Sequence, residues 1–140
     1  MSFDINVEVE NKNIFLNLNA VQGDFVFDFK RLTLSKNQVE NLHLFFKRYN
    51  AKTLKLGENL ALFLMTNKGV KVVVDFIYEA DFKGNKVLKL YIQNDNIKCA
   101  MIVERDEIFE FYQNLSKVNK LFEKKKILGF NNIQLKMLLI

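Results

Sequence analysis

Apolar and polar residues alternate strictly at the start of the chain. Phe3, Ile5, Val7 and Val9 interleave with Asp4, Asn6, Glu8 and Glu10, the period-two pattern of a strand with one buried and one wet face. Asn11-Lys12-Asn13 then predicts a hairpin turn into Ile14–Leu18, and Gln22-Gly23-Asp24 a second turn. Phe25, Phe27 and Phe29 share a face. At Lys30-Arg31 the apolar phase slips by one residue to Leu32 and Leu34, which predicts a bulge or strand break.

The period then changes. Ser35-Lys36-Asn37-Gln38 has the spacing of a capping box, and Val39, Leu42, Phe46 and Tyr49 recur at helical intervals behind it. The pattern predicts a helix over about 36–49, with Asn50 as the left-handed residue that ends it. Alternation resumes in Leu60–Thr66, Val70–Glu79, Lys86–Gln93 and Ile97–Val103. Turns are expected at Asn67-Lys68-Gly69, Lys83-Gly84-Asn85 and Asn94-Asp95-Asn96. A second helix carries Ile108, Phe111, Tyr112, Leu115, Val118, Leu121 and Phe122 on one stripe.

The two helical stripes align at a constant offset of 69 residues: Val39 with Ile108, Leu42 with Phe111, Phe46 with Leu115. The expected class is therefore α+β: two strands-then-helix repeats whose antiparallel sheets pack against helices. The chain reads as one domain, 1–140, with pseudo-repeats at 1–53 and 60–126 and an apolar tail at 127–140.

Composition narrows the chemistry more than it identifies it. The chain has 140 residues, 49% hydrophobic and 26% charged, enough to build a core. No apolar run approaches the roughly 18 residues that span a bilayer, and no signal peptide is visible, so no membrane partner is expected. A single cysteine, Cys99, excludes an internal disulfide and fits a cytoplasmic compartment. The formal charge of +5 permits polyanion binding, yet the excess is spread over both halves, and Lys, Asn, Ile and Phe are also what an AT-rich genome favours.

Catalytic chemistry finds few residues to use. With one His and one Cys, neither a zinc site nor a nucleophilic triad can be assembled. His43 is expected on a helix flank and Cys99 in the core. The five glycines show no phosphate-cradling spacing. Glu104-Arg105-Asp106-Glu107 fits acids at a helix N-terminus better than a metal site. No enzyme activity, metal or cofactor is expected.

Basic and aromatic residues interleave in Phe82-Lys83-Gly84-Asn85-Lys86-Val87-Leu88-Lys89-Leu90-Tyr91. If Leu88, Leu90 and Ile92 face inward, then Lys89 and Tyr91 share the opposite side. Lys71, Lys98 and Phe15 fall on outward positions by the same rule. Rings beside lysines on a sheet are what sequence-tolerant single-strand binding requires: bases stack and ammonium groups neutralise phosphates. An ordinary solvated sheet face has the same pattern, and both alternatives stay open from these residues alone.

The run Lys117, Lys120, Lys124, Lys125, Lys126 suits a helix C-terminus. The apolar end beyond it (Phe130, Ile133, Leu135, Leu138, Ile140) predicts a buried segment, either a last strand packed internally or, the favoured reading, a contact with another subunit or partner.

Two stretches resemble the fold shared by Whirly proteins, Pur-repeat proteins and positive-cofactor-type coactivators. Phe82–Tyr91 resembles the coactivator hairpin, F-K-G-K followed by alternating apolar residues and a Tyr. Leu32-Thr33-Leu34-Ser35-Lys36-Asn37-Gln38-Val39 resembles its strand-to-helix junction, with Lys36-Asn37 in place of Pro-Glu and Val39 in place of Trp. The stretches occur in reverse order, and the Whirly lysine-glycine-lysine-alanine motif is absent. The resemblance implies a single-stranded DNA or RNA binder, DNA ahead of RNA, that works as a dimer or tetramer. It carries Phe82, Lys83, Lys86, Lys89 and Tyr91 as binding residues. The rival expectation is a protein-interaction or structural module assembling through the apolar C-terminus.

Overall fold

The computed structural model describes residues 2–95 and 98–121. Three strands, β1 (Ser2–Glu10), β2 (Asn13–Gln22) and β3 (Phe25–Leu34), precede α1 (Lys36–Asn50). Four more follow, β4 (Asn59–Met65), β5 (Lys71–Ala80), β6 (Lys86–Gln93) and β7 (Lys98–Val103), and then α2, helical from 105 through 121. The protein is α+β: an antiparallel sheet of order β1-β2-β3, another of order β4-β5-β6-β7, and the two helices.

The turns follow their residue chemistry. Asn11 and Lys12 both take positive φ (50° and 72°), the two-residue reversal whose twist matches paired strands. The phase slip at Lys30-Arg31 is a bulge. Asn17 has no register partner on β3, Arg31 sits at φ 60°, and its N–H donates to Asn17 Oδ1 at 2.9 Å. At α1 the capping box is complete, with the Ser35 hydroxyl accepting from Gln38 N–H and Gln38 Oε1 from Ser35 N–H. Asn50, expected to be the left-handed stop, is instead the last residue of the helix. The left-handed position is Lys52 (φ 59°), where Lys52 N–H meets Tyr49 O and Thr53 N–H meets Arg48 O, the paired bonds of a Schellman ending.

One core joins everything. The inward residues of both sheets and the apolar stripes of both helices form a single buried cluster. At its centre Phe46 of α1 meets Phe76 of β5 and Phe111 of α2 edge-on, each at 5.1 Å between centroids. Arg48 of α1 pairs with Glu58 before β4 at 2.8 Å. Glu58 also accepts Lys55 N–H, and these bonds hold its carboxyl below the usual range.

The halves keep their register. β1 begins at 2 and β5 at 71, β3 ends at 34 and β7 at 103, and the helices begin at 36 and 105, all 69 residues apart. Only β4 lacks a counterpart among the described residues. Where its equivalent would lie, along the outer edge of β1, a side chain stands in: Asn114 of α2 accepts from Val7 N–H at 2.6 Å and donates to Val7 C=O at 3.1 Å.

Candidate nucleic-acid interface

The inward faces of both sheets are sealed, so binding chemistry must lie on their outward faces. On the four-stranded sheet the outward residues form rows across the strands. One row is Phe63–Val73–Gln93–Lys98, the next Ala61–Asp75–Tyr91–Ala100, the third Asn59–Ile77–Lys89–Ile102. Met65 opposite Lys71 closes one end and Glu79 opposite Val87 the other. Neither helix covers these positions: Phe63 is 77% exposed, and Lys71, Gln93, Lys98 and Ile102 are exposed.

Polar partners fix this surface. The Tyr91 hydroxyl donates to Glu79 Oε1 at 2.7 Å, and Lys89 Nζ lies 3.3 Å from the same oxygen. That hydrogen bond, aided by Lys89 against partial burial, holds the Glu79 carboxyl below its ordinary value. The same bond, with burial and the charges of Glu79 and Asp75, raises the Tyr91 phenol. Asn59 donates to Asp75 Oδ1 at 3.0 Å. The face thus carries three lysines (Lys71, Lys89, Lys98) and two acids, each acid already accepting a hydrogen bond. Beside Phe63 a groove of about 650 Å³ opens, lined by Thr33, Phe63, Met65, Thr66, Lys71 and Val73 among others.

The residues expected from the sequence therefore divide. Lys71, Lys89, Tyr91 and Lys98 share this one face. Phe82 and Lys83 occupy the β5–β6 turn instead, where Asp81 Oδ1 accepts from Lys83 and Asn85 N–H and Gly84 takes φ 83°. The Phe82 ring is 95% exposed, with Lys83 Nζ 5.8 Å from its centroid. Gln93 and Lys86 are seven residues apart on β6, so this turn lies about 24 Å from the Phe63 row. Lys86 has the parity of buried Leu88 and Leu90 and borders a groove of about 300 Å³ that also holds Tyr49, Glu104, Arg105 and Asp106.

Phe15 stands on the other sheet, between Glu8 and Thr33, half-buried, with the Arg31 guanidinium 4.4 Å over its ring. That sheet's outward side carries Asp4, Glu8, Glu10 and Asp28 against Lys30 and Arg31, a surface that repels polyanions. The C-terminal set Phe130, Ile133, Leu135, Leu138 and Ile140 lies outside the described residues.

Phe63 is the aromatic that the sequence pattern hides. Leu60–Met65 is apolar on both parities, so periodicity alone does not say which side is wet. The signal is Asn59, which shares the parity of Ala61, Phe63 and Met65.

Elsewhere, the Cys99 thiol is pushed up by burial, which suppresses thiolate chemistry. His43 packs between the helices, its ring nitrogen 3.1 Å from Ser116 Oγ. Among the described residues no group of three His, Cys, Asp or Glu is placed to hold a metal ion, and no helix is long and apolar enough to cross a membrane. Compared with known proteins, the chain matches no family model, no curated protein and no solved structure.

Proposed function

We propose that the chain binds single-stranded nucleic acid, DNA ahead of RNA, across the outward face of β4–β7. The observation that carries this reading is one sheet face, open among the described residues, that holds the exposed Phe63 and the half-buried Tyr91, with Lys71 and Lys98 along one end. A base stacked on Phe63 gains roughly 1–3 kcal/mol, and an ammonium group near its phosphate adds a salt-sensitive term. Tyr91, anchored by its hydroxyl to Glu79, offers a second stacking surface with little rotamer freedom to lose. The arrangement suits a Whirly-like binder in the cytoplasm, assembling as a dimer or tetramer, and the protein does its work by binding without catalysis.

A second reading has its own support. Val73, Ile77, Val87 and Ile102 lie on the same face, and Asp75 and Glu79 dilute its charge, as on a protein-docking sheet. Fluorescence anisotropy with a labelled oligo-dT at low salt separates the two. The nucleic-acid reading expects saturable binding, weakened about tenfold or more by Phe63→Ala with Tyr91→Ala and unaffected by Phe15→Ala. Absence of binding at low salt leaves the docking module standing.

A further inference from the structure

Two sheet edges meet at Phe63. β3 ends one sheet and β4 begins the other, and no ladder joins them. On the outward side the row Glu8–Phe15–Thr33 ends on β3, and the row Phe63–Val73–Gln93–Lys98 begins on β4. Thr33 and Phe63 line the same groove, so that groove is the seam between the sheets.

The lining of the seam suits one kind of guest. Its volume of about 650 Å³ falls within the roughly 300–1,000 Å³ of small-molecule sites. Phe63 supplies a ring, and Met65 and Val73 supply apolar walls. Thr33 is exposed, and the Thr66 hydroxyl accepts Val70 N–H at 3.1 Å while keeping its own proton to donate. The β4 backbone adds further polar groups. Tyr78 N–H bonds Glu58 O at 3.0 Å and Thr66 N–H bonds Val70 O at 2.9 Å. By strand parity, Phe63 and Met65 therefore direct N–H and C=O away from β5, to the edge that faces β3.

Charge and spacing narrow the guest further. Among the described residues the lining holds one cation, Lys71, and no acid. The groove on the three-stranded sheet holds Glu8 and Asp28, and the one beside Lys86 holds Glu104 and Asp106. A peptide strand added to β4 does not fit. Cα atoms of β3 and β4 approach within 8 Å, whereas an inserted strand needs two strand spacings, about 9.5 Å. A flat ring with polar edges and an attached anion does fit, which is the chemistry of a nucleotide.

We infer that one base of the bound strand leaves the β4–β7 face at Phe63 and inserts into this seam, an inference that rests on the nucleic-acid reading above. The base stacks on Phe63, its edge meets the Thr33 and Thr66 hydroxyls and the β4 backbone, and Lys71 holds its phosphate. Thr33 thus joins the site from the other sheet. Hydroxyls and peptide groups both donate and accept, so the seam tolerates any base.

NMR on the full-length chain with labelled Thr and Met methyl groups tests this. With a short oligo-dT at low salt, NOEs should join thymine protons to the Thr33 and Met65 methyl groups and to the Phe63 ring. Thymidine monophosphate should shift the same signals only at about a hundredfold higher concentration or more, because it lacks the rest of the strand. Thr33→Leu extends an apolar side chain into the seam and should weaken oligo-dT binding about tenfold, with amide signals away from the seam retained. NOEs to Phe63 and Val73 without Thr33 or Met65, or unchanged affinity in Thr33→Leu, overturn the seam site while leaving the sheet face as a binding surface. Thymidine monophosphate binding as tightly as the oligonucleotide overturns the assignment to a strand. No oligo-dT binding by the unaltered chain overturns both the seam and the reading it rests on.

Discussion

The rings of His43 and Tyr112 stack face to face, 5.3 Å between centroids and 4° from parallel, and the two residues are 69 positions apart, the offset that superimposes one half of the chain on the other. The contact joins α1 to α2. Ser116 and Asn119 approach the two nitrogens of the same imidazole, at 3.1 and 3.5 Å. Tyr112→Ala removes the stacked partner of His43 and should destabilise the fold by about 1–3 kcal/mol, read from denaturant midpoints. Oligonucleotide affinity should not change, since this contact joins the two helices and Tyr112 is not among the residues of the outward face.

Glu79 gathers Tyr91 and Lys89 on the candidate face, and in doing so places a negative charge where phosphates would pass. Glu79→Gln removes that charge and frees Lys89, so low-salt affinity for a single-stranded oligonucleotide should rise about two- to fivefold. The same bond has a pH signature. The lowered Glu79 carboxyl contributes stability above its ordinary range, lost as pH falls through its folded value. The raised Tyr91 phenol contributes below its ordinary range, lost as pH rises through its folded value. Stability from this pair should therefore form a plateau between those limits, and Glu79→Gln should flatten the acid side in a pH series of thermal melts.

Glu107 works in the opposite sense. One carboxylate oxygen is buried with no hydrogen-bond partner among the described residues. Burial raises its pKa, and Glu104, Glu110, Asp106 and Asp4 raise it further. An acid whose folded pKa is raised costs stability while ionised, and the cost fades as pH falls through its folded value and is gone below its ordinary range. Glu107→Gln should raise Tm by about 1–3 °C at pH 7 and by much less at pH 4, measured by calorimetry.

Much of this architecture is legible in residue order. Alternation locates most of the strands and a short apolar run before a turn locates β4, the 3.6-residue stripe locates both helices, and the slip at Lys30-Arg31 marks its bulge, because each signal is local and set by backbone geometry. The helix ending is less legible, since a Schellman turn accepts Lys at its left-handed position when neighbouring carbonyls are captured.

The site is legible only in part. Parity correctly puts Lys71, Lys89, Tyr91 and Lys98 on one face, but sequence proximity groups Phe82, Lys83 and Lys86 with them although the turn and the strand's other parity carry them elsewhere. Phe15 lies on the outward face of the other sheet, and Arg31, sixteen residues away, lies over its ring, a tertiary contact that no local pattern announces.

The salt dependence of binding addresses the face most directly. For single strands, each neutralised phosphate contributes about −0.7 to the slope of log K against log salt. If Lys71 and Lys98 each meet a phosphate, Lys71→Ala with Lys98→Ala should make that slope shallower by about 1.4, in titrations from low to physiological salt. An unchanged slope, or no binding by the unaltered protein even at low salt, would contradict the assignment of this face to nucleic acid.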